Sequence, residues 1–336
     1  MRAIVEPLAP PSLMRALRLR GEGRVELVEA PVPVAGAGEA LVRVECSALC
    51  GSERGAVAAG MAGNAGHEAC GVVVSAPQGA DVAVGERVGV SAIRGCGDCG
   101  PCRAGVETRC AEGPSVQVGM HADYVVAGLR TLRRLPAGTD AVTGALLSGD
   151  ALGVPARALR RAPTAPGDRV VVIGLGPVGL AHVAVRALQG CEVIGVEPSA
   201  ARRATAVALG AVAAVAPDAT PPPARLVIEA TGTPQCIDRA FDLAEPGGTV
   251  LQSGECGTAA IRPSASVVHR EVTYTGAWYY ATEDWPAMLD LQRCGLDIRR
   301  LVGDEFPAAQ AQAAFDRFLG GDSAKVVLHW NEEDAA

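Results

Sequence analysis

The stretch that decides the fold is Val170-Val-Val-Ile-Gly174-Leu-Gly176-Pro177-Val178-Gly179. Four β-branched residues in a row read as a strand buried on both faces. Three glycines then follow in G-x-G-x-x-G spacing, and the helical stretch Val178–Gln189 comes next. Each glycine has its own steric reason. Gly174 allows a tight turn, Gly176 lets a pyrophosphate approach the backbone, and Gly179 lets the helix pack close to the strand. Pro177 and Val178 open that helix, whose free N–H groups face the phosphates. A glycine-rich chain produces such spacings by chance. Here strand, glycines and helix agree, so we read a dinucleotide site.

Working outward, strand-like and helical runs alternate: Glu192–Val196, Ala200–Leu209, Leu226–Glu229. That alternation predicts a doubly wound parallel sheet. Glu197 ends the second strand, eighteen residues after Gly179. An acid there accepts hydrogen bonds from ribose hydroxyls and repels a 2′-phosphate, which favours NAD over NADP. Arg202 has two readings, one flanking the adenine and one as a surface helix arginine. The pairs Arg160–Arg161, Arg202–Arg203 and Arg299–Arg300 read as solvated positions.

Upstream the texture differs. Ala16–Arg20, Arg24–Val28 and Glu39–Val44 alternate like strands. Short strands and glycine-rich loops continue to about residue 135, and a helical stretch runs over about 141–162. Downstream, a helix near Ala308–Leu319 precedes a strand at Lys325–His329. Residues 1–13 read as an extension, with Met14 as a possible second start, and the acidic tail Asn331–Ala336 reads as mobile.

The chain has 336 residues, enough for two domains. Its net charge is −7, without the basic stripe of a nucleic-acid binder. It has no apolar run long enough to cross a bilayer and no signal-peptide pattern, so a cytoplasmic protein without membrane or nucleic-acid partners is expected. Eleven cysteines, an odd number, with four crowded into fifteen residues, favour metal over disulfides.

Those four are Cys96, Cys99, Cys102 and Cys110. Four thiolates on a short loop suit one tetrahedral Zn²⁺ with every position filled, so this ion is structural. Arg94, Arg103 and Arg109 stand within or beside the loop and are expected to offset its charge. Two weaker fragments precede it, Cys50-Gly-Ser52-Glu53 and Gly66-His67-Glu68. Alone, a cysteine is usually a small buried hydrophobe and a histidine usually structural.

Taken in order, Cys-Gly-Ser, Gly-His-Glu, the four-cysteine loop and the glycine motif resemble the zinc-containing medium-chain dehydrogenases, which include alcohol, polyol and threonine dehydrogenases. The resemblance covers about residues 14–330. It implies an α/β protein: a GroES-like, mostly-β catalytic domain over residues 1–151 and 293–336, and a Rossmann domain over 152–292. It also implies a second, catalytic zinc on Cys50, His67 and Asp150, with one position open to substrate oxygen. Asp150 alternatively reads as a helix N-cap. Ser52 resembles a proton-relay hydroxyl, and Glu68 an acid that approaches the metal or holds an arginine. The position where the family often continues its relay is Gly55, and Glu53 replaces the usual Asp. The segment Arg54–Ala65, which resembles one wall of the substrate cleft, is short.

Thr231-Gly232, Ser253-Gly254 and Gly276-Ala-Trp278 resemble turns under the nicotinamide half of the cofactor. Trp278, Tyr279, Tyr280 and Trp285 are expected at the cleft or at an interface. The expected activity is hydride transfer from a secondary alcohol (a polyol, cyclitol, sugar or amino-sugar glycoside) to NAD, in a homodimer or homotetramer. The rivals are a carbonyl reductase, threonine-dehydrogenase-like activity, a formaldehyde- or lyase-type enzyme, and a zinc-free binding relative. The last predicts loss of the open-site ligands, yet all three are present.

Overall fold

The structure is a computed structural model, and it describes residues 10–60 and 63–331. The expectations for residues 1–9 and for the tail after Asn331 lie outside the described residues, as do Met61 and Ala62 of the cleft-wall segment. Two compact units form. One is Met1–Gly149 with Asp304–Leu319 and Val326–Ala336; the other is Asp150–Gly303 with Gly320–Lys325.

In the first unit, β1 (Leu13–Gly21) and β2 (Arg24–Pro31) pair as a hairpin. Next come β3 (Glu39–Ala48), α1 (Glu53–Ala59), β4 (Ala69–Ser75), β5 (Arg87–Val90), β6 (Tyr124–Gly128), β7 (Leu132–Arg134) and α2 (Ala141–Ser148). The expected 141–162 helix is broken. α2 ends at Gly149, whose backbone is extended, and α3 (Asp150–Arg161) starts afresh. A Cβ at Gly149 would collide with the Glu68 carboxylate and the Ala145 carbonyl. Close approach of β4's leading residues therefore sets the break, and no local pattern marks it.

The second unit holds β8 (Arg169–Ile173), α4 (Pro177–Leu188), β9 (Glu192–Val196), α5 (Ala200–Ala208), β10 (Ala213–Val215), β11 (Ala224–Glu229), α6 (Pro234–Leu243), β12 (Ala244–Gln252), β13 (Thr273–Gly276) and α7 (Trp285–Arg293). Its sheet is parallel throughout, in the order β10-β9-β8-β11-β12-β13. β8 is central, so the chain reverses direction across the sheet at its C-terminal end. In open α/β sheets that is where ligands bind.

The chain then returns with β14 (Val302–Pro307), α8 (Ala311–Gly320) and β15 (Lys325–His329). β15 pairs antiparallel with β3, giving a sheet in the order β14-β15-β3-β4-β5-β7, with β6 also on β3. A core of Val42, Val44, Val73, Val88, Phe315 and Leu328 fills this unit. Phe315 and Phe318 pack edge to face, while the Arg54 guanidinium lies over Phe318.

Arg160, Arg161, Arg299 and Arg300 are exposed as expected, whereas Arg202 and Arg203 are half-buried, and most of them also reach a protein partner. Arg160 pairs with Asp284 at 2.9 Å, Arg161 donates to the Gly276 carbonyl, and Arg203 donates to the Glu197 and Pro198 carbonyls. Arg300 donates to the Ala208 carbonyl. Carbonyls left open at strand and helix ends recruit these long donors. Arg186 is the extreme case. It is fully buried on α4, and it donates to the Ala158 and Ala162 carbonyls at the end of α3 (3.3 and 2.8 Å) and to Thr164 Oγ1 (2.8 Å). Arg186→Met should therefore strand several buried carbonyls at once. We expect a loss of about 2–4 kcal/mol, read as a lower urea midpoint for the second unit. An unchanged midpoint would show that water replaces the guanidinium.

Candidate active site and metal centres

The four-cysteine loop is built from one helical turn, Gly100–Arg103, with proline at its start, and a 3₁₀ turn, Glu107–Arg109. It brings the sulfurs of Cys96, Cys99, Cys102 and Cys110 within 4.8 Å of one another. Backbone amides point at them: Cys96 N–H at Cys110 Sγ (3.3 Å), Cys99 N–H at Cys96 Sγ (3.4 Å) and Ala111 N–H at Cys99 Sγ (3.4 Å). Such donors favour thiolate. The Ala111 and Cys102 amides hold the Cys99 thiol down at about 6, whereas burial pushes Cys102 up to about 12. Amides rather than Arg94 and Arg103 are directed at the sulfurs. Arg94 pairs with Glu39 and Arg103 donates to the Asp98 carbonyl. Four converging sulfurs with no carboxylate or imidazole among them fit a closed tetrahedral zinc site.

The second group is mixed. Cys50 leaves β3, His67 and Glu68 enter β4, and Asp150 directly follows Gly149. All four are buried, with one potential ligand atom from each within 4.8 Å of the others. His67 Nδ1 lies 3.0 Å from the Ala65 carbonyl. The ring proton sits there, which leaves the Nε2 lone pair for a metal. A thiolate, a neutral imidazole and a carboxylate cancel the charge of Zn²⁺, so the donor set fits. Glu68 lies inside the group rather than beyond it. Ser52 Oγ stands 3.5 Å from His67 Nε2, on the ligand side of the ring.

A buried frame behind these residues has no counterpart in the sequence reading. Glu53 Oε1 accepts the Cys50 N–H (2.9 Å), and Glu53 Oε2 meets His121 Nε2 (3.0 Å). His121 Nδ1 meets Ser47 Oγ (2.8 Å), which also accepts the Trp330 indole N–H (2.8 Å). His121 keeps the Glu53 carboxyl below its usual range despite the opposing effect of burial. The longer Glu at position 53 thus reaches a histidine some seventy residues along the chain. Only the approach of two distant segments could reveal the pair.

In the second unit the three glycines do different work. Gly174 has φ +87°, and a Cβ there would strike Thr231. A Cβ on Gly179 would strike the Gly174 carbonyl, but one on Gly176 would meet nothing within 4 Å. Gly176 therefore leaves open space at the α4 N-terminus, where Pro177 and Val178 begin the helix. Glu197 is buried and accepts the Leu175 and Ser199 amides (2.8 and 3.1 Å). Arg202 is not a surface arginine, since it donates to the Ser323 carbonyl and lies 4.0 Å from Glu197.

The Glu229 carboxylate holds the next turn by accepting the Thr231 and Gly232 amides (2.7 and 3.0 Å). Beside it, Gln252–Gly257 and Gly276–Trp278 line a cleft of about 730 Å³. Trp278 stands at this cleft and donates to Glu255 (3.0 Å). Tyr280 is instead fully buried and would touch any Cβ placed on Gly153, so it is a core residue.

Comparison with known proteins agrees with this geometry. Residues 36–137 match the alcohol dehydrogenase GroES-like domain, and residues 177–293 match the zinc-binding dehydrogenase family. L-galactonate-5-dehydrogenase of Escherichia coli K12 is 31% identical over 250 residues, covering 66% of this chain and 71% of that protein. The probable D-xylulose reductase A of Arthroderma otae is 29% identical over 341 residues, 92% and 95% of the two chains. The solved structure of a candidate zinc-binding dehydrogenase from Sinorhizobium meliloti 1021, bound to NADP, superposes with a TM-score of 0.83 at 26% identity, covering 95% and 100%. The chain belongs to the zinc-containing medium-chain dehydrogenases, with a GroES-like and a Rossmann-like part. Its chemistry is zinc-dependent oxidoreduction of an alcohol with a nicotinamide cofactor. Among the described residues, no helix is long and apolar enough to cross a membrane.

Proposed function

We propose that this chain oxidises a secondary alcohol of a polyol, cyclitol, sugar or amino-sugar with NAD, and that it holds two zinc ions. The observation that carries the reading is the pair of donor groups, one all-sulfur and one mixed. Zinc on Cys50, His67 and Asp150 would supply a Lewis acid for the substrate oxygen. His67 would present Nε2, fixed by the Ala65 carbonyl. Cys50 would be held by the Glu53 carboxylate through its own amide. Ser52 would take a proton from the substrate hydroxyl and pass it to water, because Gly55 offers no further relay group; its 3.5 Å approach to His67 Nε2 supports this role. The names of the sugar-acid and pentulose relatives support the substrate class, and the reductase name keeps the carbonyl direction as the second reading. A screen of NAD reduction against polyols, sugars and amino sugars tests it. Turnover restricted to simple primary alcohols would overturn the substrate class.

NAD rather than NADP rests on Glu197. Glu197 directly follows β9, and its carboxylate is already held in place by two amides. A 2′-phosphate there would meet like charge. Glu197→Ala should weaken NAD by about tenfold and NADP by much less. Equal losses measured by fluorescence titration of the reduced cofactors would remove the assignment.

A further inference from the structure

α4 carries a histidine that nothing above uses. His182 lies one turn into the helix that opens at Gly176, and its side chain is fully buried. Its Nε2 stands 3.1 Å from Ser253 Oγ. Ser253 follows the end of β12, is tied by its amide to the Glu229 carbonyl (2.8 Å) and lines the 730 Å³ cleft. Among the described residues, His182 Nδ1 has no hydrogen-bond partner.

That asymmetry sets the proton. A neutral imidazole has one N–H. On Nδ1 it would be a buried donor without an acceptor, the costlier kind of orphan. On Nε2 it is satisfied by Ser253 Oγ, and only an acceptor lone pair is left at Nδ1. Burial, aided by the Arg186 guanidinium one turn along α4, pushes the imidazole down to about 3, so the ring stays neutral. With Nε2–H donating, the Ser253 oxygen is occupied as an acceptor from that side. Its own proton cannot point back at the histidine and turns elsewhere.

We propose that His182 is a positioning residue that makes Ser253 a directed hydrogen-bond donor into the cleft, for an acceptor oxygen on the nicotinamide half of the cofactor. The inference rests on the nicotinamide reading of that cleft. Its chemistry is specific to this pair: a serine without the imidazole is free to donate to any nearby carbonyl, and an aliphatic residue at 182 leaves it so.

Two measurements test it. In ¹⁵N-labelled wild-type protein, His182 should show the Nε2–H tautomer; an Nδ1–H tautomer overturns the proposal. For binding, NADH is compared with ADP-ribose, which lacks the nicotinamide ring. His182→Leu and Ser253→Ala should each weaken NADH by about tenfold and leave ADP-ribose within about twofold. In the Ser253→Ala background, His182→Leu should cost less than about twofold more, because its effect runs through the serine. His182→Gln, which can still donate, should recover most of the affinity. Additive losses, or equal losses for ADP-ribose, would reduce His182 to a packing residue. If wild-type protein bound no ADP-ribose, the cofactor reading itself would fail, whatever the tautomer.

Discussion

Asp150→Asn should lower kcat/KM by on the order of a thousandfold while leaving ADP-ribose affinity within about twofold of wild type. The substitution keeps the shape of the side chain, and asparagine begins a helix as well as aspartate does. α3 should therefore still start after Gly149. What changes is charge. With Asp150 ionised, thiolate and carboxylate together cancel a divalent ion. With asparagine, Cys50 is the only anion among the three proposed ligands, and the charge is balanced only if Glu68 takes over. Unbalanced charge is costly away from water. Zinc content should fall from about two to about one per chain, because the four-cysteine loop keeps its own ion. Glu68 makes the experiment sharper. Its carboxylate is in the same group, so partial activity with two zincs retained would mean that Glu68 substitutes as a ligand. Full activity would make Asp150 an N-cap residue only.

The Rossmann-like unit was legible because its rules are local. Val170–Ile173 announces a strand covered on both faces, and each glycine after it answers one steric demand. Glu197 follows at the spacing that one crossover helix imposes. The cysteine loop is local for the same reason, since its ligands lie within fifteen residues. Polar groups whose partners are far along the chain were not legible. His121 finds Glu53 and Ser47 only after β3, α1 and the segment before β6 come together. His182 finds Ser253 across two strands, and Arg186 finds the end of α3. The break at Gly149 belongs with these. A helical pattern continues through it, but the Glu68 carboxylate takes the space a side chain would need. Of the arginine pairs only Arg202–Arg203 is drawn in from solvent, by the Ser323, Glu197 and Pro198 carbonyls.

Cys102→Ser should remove the other zinc and unfold the loop around it. Cys102 is fully buried, and a Cβ on Gly95 would run into its sulfur, so the segment is wound tightly about this side chain. Few apolar side chains support it: the regular structure consists of one helical turn, one 3₁₀ turn and a two-residue ladder between Ile93–Arg94 and Ser115–Val116. Segments of this kind take most of their folding free energy from the metal. Serine is near in size but a far weaker zinc ligand, and three thiolates left without the ion would repel one another. We expect zinc content to fall from about two to about one. Trypsin should then cut rapidly at Arg103 and Arg109, and the first unit's unfolding midpoint should fall by more than about 5 °C. ADP-ribose binding should persist, because the glycine motif belongs to the other unit. The same loss of one zinc accompanied by unchanged trypsin resistance would mean that packing, not metal, holds the loop. Retention of both ions would show that three sulfurs suffice and that Cys102 is a buried hydrophobe.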